Sequence, residues 1–258
     1  MEFSRLFFRK MQHILQINGE TKLVGLLATP IGHTLSPRMH NLGYTLKDMN
    51  YSYMSFEVGN KELEDAVNGM KAIGAAGFNV SMPNKMEVIK YLDELDDSAK
   101  YSGAVNTVVI REDKLIGYNT DGLGYVQNLR EHGVELEGQK VTLVGSGGAA
   151  TPIAIQLVQS GISEISIFAR NDDFFSQAEE NVNKINNEMK EFGVKANIFP
   201  LEDKETFRKE VAESLILANG TSLGMKPLDH LSIIDGTLDV LRKDLVVTDV
   251  VYVQSAKI

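Results

Sequence analysis

Val141-Thr142-Leu143-Val144-Gly145-Ser146-Gly147-Gly148-Ala149-Ala150 is the stretch whose reading decides the fold. Val141 to Val144 reads as a buried strand, and the chain then turns into a glycine cluster. Ile153, Ala154, Leu157 and Val158 follow at helical spacing. Strand, glycine turn and helix form the setting in which a G-x-G-x-x-G/A pattern carries meaning. Gly145, Gly147 and Ala150 fill its three positions. The first permits a tight turn, the second lets the backbone approach a pyrophosphate, and the third lets the helix pack closely on the strand. A helix N-terminus at that point offers N–H groups and the positive end of its dipole to phosphate. The stretch therefore predicts dinucleotide binding.

Outward from it, the second half alternates regularly. Strands are expected at 140–144, 164–169, 195–199, 214–218 and 245–251, and helices at about 148–160, 172–192 and 202–213. That is the pattern of a doubly wound parallel sheet. In the first half, residues 22–28 read as a buried strand. Thr29 to Pro37 form a loop, and Ser36-Pro37 opens a helix with Ser36 as N-cap and Met39, Leu42, Gly43 and Leu46 turned inward. A strand at 51–58, an amphipathic helix at 61–73 and a short strand at 77–80 follow. Two helical stretches run between Met86 and Tyr101, with strands at 104–110 and 115–118 beyond them. The expected class is α/β, with an N-terminal α/β domain over 1–125 and a C-terminal doubly wound Rossmann domain over 126–258. The boundary falls in the helix at 121–133.

Composition narrows the partners. The 258 residues carry a formal net charge of -9, which argues against nucleic acid or an anionic membrane. There is no cysteine, so disulfides, thiolate metal sites and cysteine nucleophiles are excluded, in keeping with a cytoplasmic setting. The apolar run Leu6-Phe7-Phe8 is too short and broken for a signal peptide. Met11 is a candidate start, with the first ten residues as a leader.

The polar groups of the first half cluster after strands. Thr34 and Ser36 can hold a carboxylate, although alone they read more simply as a turn residue and a cap. Lys85 by itself reads as a solvated lysine, and Asp121 as an N-cap or first-turn acid. Asn79, Asn106 and Asn119 can be turn amides. Yet all lie at or just after strand C-termini, the edge where open α/β sheets bind ligands. A Lys–Asp pair there can manage a proton and a developing alkoxide beside a nicotinamide. His33 and His40 lack the accompanying ligands of a metal site, and no metal is expected.

Taken together, these motifs resemble the shikimate dehydrogenase family, and within it the shikimate/quinate dehydrogenase branch. The carrying residues are Thr29 to Asn41, Asn79-Val80-Ser81-Met82-Pro83-Asn84-Lys85, Gly103 to Thr107, Gly117 to Gly122, the glycine loop, and Asn219 to Met225. The resemblance implies a substrate-binding and catalytic first domain. It implies reversible NAD(P)-dependent hydride transfer between 3-dehydroshikimate and shikimate, extending to 3-dehydroquinate and quinate, in the aromatic amino acid pathway. Lys85 and Asp121 would be the catalytic pair. Thr34 and Ser36 would hold the substrate carboxylate, and Ser81 and Asn106 ring hydroxyls. Tyr252 would lie between substrate and nicotinamide. The cofactor set it implies is Gly145, Ser146, Gly147, Gly148, Ala149, Ala169, Arg170, Asn171, Asp172, Thr221, Ser222, Val250, Val251 and Tyr252.

Many NADP-using relatives place Arg where Arg170 stands, to clamp the 2′-phosphate. The quinate-type branch has an acid after it, as Asp172 is here. An acid near the ribose favours the 2′-OH, so NAD is expected, with NADP tolerated. Relatives continue past the Tyr252 region with helices that return to the first domain. The resemblance therefore carries the expectation that those helices are missing here. It also carries an alternative, a weakly active or inactive dinucleotide- or metabolite-binding protein. A monomer or homodimer is expected.

Overall fold

A computed structural model describes residues 17–32, 34–225 and 228–251, with Asp173 and Phe174 described in backbone only. The chain divides into two compact units, residues 1–119 and 120–258. Among the described residues no helix is long and apolar enough to cross a membrane.

The first unit is built on a six-stranded mixed sheet. Its elements are β1 (Lys22–Ala28), α1 (Ser36–Leu46), β2 (Tyr51–Glu57), α2 (Leu63–Ala72), β3 (Gly77–Val80), β4 (Glu94–Leu95), α3 (Asp97–Ser102), β5 (Thr107–Arg111) and β6 (Lys114–Tyr118). Strand order is β2-β1-β3-β5-β6-β4. β1 runs parallel to β2 and β3, whereas β5 is antiparallel to both β3 and β6. The C-terminal ends of β1, β2, β3 and β6 therefore share one edge with the N-terminal end of β5. Leu63, Val67 and Met70 of α2 are buried with Leu27, Phe78, Val80 and Val108 of the sheet. Each such side chain contributes about 1.5–3 kcal/mol by leaving water.

Three local expectations are corrected. α1 turns Met39, Leu42 and Leu46 outward, each more than half exposed. The side facing the sheet is instead polar and aromatic. Asn41 Nδ2 donates to Tyr53 O at 2.9 Å, its Oδ1 accepts from Tyr53 N at 2.8 Å, and His40 stacks on the Tyr53 ring at 4.2 Å. Two specific hydrogen bonds and a ring stack thus set the helix's rotation against its apolar stripe. Ser36 is a helical residue and not the N-cap. The cap position is Leu35, which makes no side-chain cap bond, and the Thr34 hydroxyl oxygen accepts from Ser36 N at 3.2 Å. Between Met86 and Tyr101 the chain forms a 3₁₀ turn at Glu87–Tyr91, then β4, then the six-residue α3.

The second unit comprises α4 (Asp121–Glu131), β7 (Lys140–Val144), α5 (Ala150–Gln159), β8 (Glu164–Ala169), α6 (Asp173–Glu188), β9 (Lys195–Pro200), α7 (Lys204–Glu213), β10 (Ile216–Asn219) and β11 (Val246–Asp249). Its five strands are all parallel in the order β11-β10-β7-β8-β9, a doubly wound sheet. β7 and β10 are buried almost throughout, as strands covered on both faces must be. The helix expected at 148–160 begins at Ala150, after the glycine turn has ended.

Candidate active site

In the first unit, backbone hydrogen bonds gather the loops at one sheet edge. Thr29 N donates to Met82 O, Ser81 N to Leu27 O, Val80 N to Asn106 O and Val105 N to Lys85 O, all at 2.8–3.2 Å. Thr34 and Ser36 after β1, Ser81 and Lys85 after β3, and Asn106 before β5 are thereby brought to that edge. Lys85 and Ser81 are half-buried, and Asn106 is buried. Asp121 is the first residue of α4, in the second unit, with no side-chain cap from Thr120 before it.

The edge is wired by amides. The Tyr53 hydroxyl donates to Asn79 Oδ1 at 2.8 Å. Asn79 Nδ2 donates to Thr107 Oγ1 at 3.0 Å, and Thr107 donates in turn to Asn106 Oδ1 at 2.9 Å. A continuous chain thus runs from Tyr53 to Asn106. With its Oδ1 taken by Thr107, the Asn106 side chain is held in one orientation. Burial is the main cause that pushes the Tyr53 phenol above its ordinary pKa, with Tyr44 adding and Ser36 opposing. Burial lowers that of His40, favouring the neutral ring stacked on Tyr53.

Asn84, beside Lys85, is fully buried. Its Nδ2 donates to Val58 O at 2.8 Å and Leu27 O at 3.3 Å, strapping the lysine turn to the ends of β1 and β2. Its Oδ1 lacks a hydrogen-bond partner among the described residues. Such an orphan acceptor costs about 1–3 kcal/mol. Tyr53 and Asn84 carried no role in the sequence reading. The signal for Tyr53 was its place on an alternating strand, because a buried phenol needs a partner.

In the second unit, β7, β8, β10 and β11 end at a common edge. Gly145 closes β7 with φ +114°, and a Cβ there would meet Gly220 and Thr221 at 3.0 Å. Ala150 lies against Gly220, where an added Cβ would approach its methyl at 2.7 Å. Ser146 is buried, whereas Gly147 and Gly148 face open space. After β8, Ala169 is buried and Arg170, Asn171 and Asp172 are exposed. Arg170 Nε lies 3.3 Å from Asp172 Oδ2, and Asn171 N lies 3.5 Å from the Glu202 carboxylate. After β10, Asn219 Oδ1 accepts from the backbone N and hydroxyl of Thr221, at 3.0 and 2.7 Å. Its Nδ2 reaches Asp249 Oδ1 at 3.0 Å, while Val250 N donates to Asn219 O. Thr221, Ser222, Val250 and Val251 are thus brought to the same edge as the glycine turn. Tyr252 and His33 lie outside the described residues. Among the described residues, no group of His, Cys, Asp and Glu could hold a metal ion.

The glycine turn fits a pyrophosphate: its second and third glycines stand clear of other atoms, where a negatively charged group can meet main-chain N–H donors. A mixed α/β sheet with clustered hydroxyl, amide and ammonium groups, followed by a doubly wound sheet with such a turn, defines a dinucleotide-dependent dehydrogenase. The model of the shikimate dehydrogenase substrate binding domain matches residues 26–108. Shikimate dehydrogenase (NADP(+)) of Listeria monocytogenes is 49% identical over 237 residues, covering 92% of this chain and 80% of the relative. The crystal structure of shikimate 5-dehydrogenase from that organism, in complex with shikimate and NAD, has a TM-score of 0.87 at 49% identity, covering 92% of this chain and 81% of the other. Quinate dehydrogenase from Corynebacterium glutamicum, in complex with NAD, has a TM-score of 0.78 at 26% identity, covering 90% and 80%. The chain belongs to the shikimate dehydrogenase family.

Proposed function

We propose that the chain transfers hydride reversibly between 3-dehydroshikimate and shikimate with NAD(P), and acts also on 3-dehydroquinate and quinate. The observation that carries this reading is the convergence of Thr34, Ser36, Ser81, Lys85 and Asn106 on one sheet edge. Its family relatives include one solved with shikimate and NAD and a quinate dehydrogenase solved with NAD. The substrate and catalytic residues belong to 1–125 and the dinucleotide-binding residues to 126–258.

Bound nicotinamide supplies or accepts the hydride. The chain's own residues do the rest. The hydroxyls of Thr34 and Ser36 hold the substrate carboxylate, while Ser81 and Asn106 hold ring hydroxyls. As the carbonyl carbon gains hydride, the Lys85 ammonium gives a proton to the oxygen or stabilises its charge, and Asp121 orients that lysine. Tyr252, with Val250 and Val251, would meet the nicotinamide.

NAD is the favoured cofactor and NADP is tolerated. Support comes from Asp172, whose carboxylate engages Arg170 and would repel a 2′-phosphate. The name of the Listeria monocytogenes relative specifies NADP(+), while its solved counterpart holds NAD. The enzyme acts in the cytoplasm as a monomer or homodimer.

A spectrophotometric assay at mildly alkaline pH tests the proposal, with shikimate or quinate paired with NAD or NADP. Reduced nicotinamide is expected, most with NAD. Cofactor binding without turnover on either acid would defeat the proposal and leave a dinucleotide-binding protein.

A further inference from the structure

We propose that Asn181, on α6, is a positioning residue for the pyrophosphate cradle, acting with Thr151 on the carbonyl of Ser146. The inference rests on reading the glycine turn as that cradle. Asn181 is 8% exposed, Thr151 7% and Ser146 2%. Asn181 Nδ2 donates to Thr151 Oγ1 at 2.8 Å and lies 3.4 Å from Ser146 O. The Thr151 hydroxyl donates to Ser146 O at 2.8 Å. Its single proton is thereby committed, so its lone pair faces Asn181, and the amide must present nitrogen to both oxygens.

The consequence follows from peptide geometry. Cis peptides among the described residues are confined to two X-Pro bonds, so Ser146–Gly147 is trans. In a trans peptide the C=O and the following N–H point in opposite directions. A Ser146 carbonyl drawn toward Thr151 and Asn181 aims the Gly147 N–H the opposite way, away from both side chains. The donor is thus set before any phosphate arrives, which removes an ordering cost from binding. The apolar face of α6 also explains why Asn181 is unexpected. It lies among Ala178, Val182 and Ile185, all buried, where an amide is costly unless bonded. Nothing in the G-x-G-x-x-A pattern points to it, because the helix that carries it follows the next strand.

The test compares the full chain with Asn181→Leu, Asn181→Asp and Thr151→Val, the last removing a bond to the same carbonyl without changing a residue of α6. Dissociation constants are measured for NADH, ADP-ribose and adenosine, and folding is checked by thermal melting. NADH and ADP-ribose should weaken about tenfold in Asn181→Leu, the scale of one charge-assisted hydrogen bond. The loss should be larger in Asn181→Asp, whose carboxylate competes for the Thr151 proton. Adenosine binding and the KM for shikimate at saturating cofactor should hold. The Asn181→Leu/Thr151→Val double variant should lose little beyond Thr151→Val, since both act through one carbonyl. Folded variants that keep the wild-type preference for ADP-ribose over adenosine would overturn the proposal alone, as would equal loss for both ligands. A wild-type chain without that preference would overturn the cradle reading and the proposal with it.

Discussion

The two units present their ligand groups at comparable sheet edges but fix them by different means. In the first, the proposed recognition is by side chains, and a chain of amides and hydroxyls runs from Tyr53 through Asn79 and Thr107 to Asn106. In the second, the proposed recognition is by main-chain N–H groups of a glycine turn, and the buried side chains of Asn219 and Thr151 bond the backbone of that edge, with Asn181 on Thr151. The difference follows from the ligands. A polyhydroxylated ring must be met at several points by groups of defined direction, which demands satisfied networks in a site of low dielectric. A pyrophosphate spreads its charge over many oxygens and is met by a cluster of N–H donors at a helix start.

The comparison breaks most visibly at Lys85. Lys85→Ala should lower kcat by about 10²–10⁴-fold, the range of lost acid–base help, and leave the NADH dissociation constant unchanged. A parallel loss of cofactor affinity would show that the two edges are not separable in function.

The next largest effect falls at the opposite end of the second sheet. Lys140, at the start of β7, meets Glu210 at 2.8 Å, Glu213 at 2.7 Å and Glu164 at 3.4 Å. Burial works against the Lys140 charge but is outweighed by these acids, which raise its pKa above 10.5. Burial likewise opposes ionised Glu210, yet bonds from Lys140 and Ser166 hold it below 4.5. Glu210→Ala should cost about 2–3 kcal/mol in an unfolding titration, less than orphaning a buried charge outright because Glu164 and Glu213 remain. A carboxylate with a lowered folded pKa stabilises above its unfolded value, and that stability is lost as pH falls through the folded one. The wild-type melting temperature should therefore drop more steeply below pH 4.5 than that of Glu210→Gln.

Tyr53→Phe removes the hydrogen bond to Asn79 at the head of the amide chain while keeping the ring under His40. The KM for shikimate should rise about five- to tenfold, the worth of roughly one hydrogen bond, with the NADH constant unmoved. An unchanged KM would reduce the amide chain to a scaffold. The smallest shift is expected from Asp172→Ala. Freeing Arg170 from an exposed ion pair and removing a repelling charge should narrow the NAD-to-NADP ratio of kcat/KM a few-fold, on the scale of about 1 kcal/mol or less. A constant ratio would remove Asp172 from cofactor choice.

Much of this was legible before any coordinates. The glycine turn, the strand-helix alternation after it and the buried face of α2 follow from periodicities of two and 3.6 and from short-range turn chemistry. Lys85 and Ser81 could be placed after a strand for the same reason, whereas Asn106, read within a strand at 104–110, lies before the start of β5 at Thr107. Helix α1 was misread because its apolar spacing predicts an inward face, whereas Asn41 and His40 dock the other side on Tyr53. Ser36 was misread as a cap because Ser-Pro at a helix start is a local signal, whereas the helix already includes Ser36 and its cap position is Leu35.

The sequence by itself determined the strand-helix order of the second unit and which of its strands are buried, because these depend on patterns within a few residues, and its ordered motifs pointed to the family. Only the tertiary structure decided what each buried polar group serves. Asn84 straps two strand ends, Tyr53 of β2 joins Asn79 of β3, and Asn181 reaches from a distant helix to Thr151 and the glycine turn. Such pairings link residues far apart in the chain. They are set by the requirement that every buried donor find an acceptor, a condition that only the packed fold can satisfy.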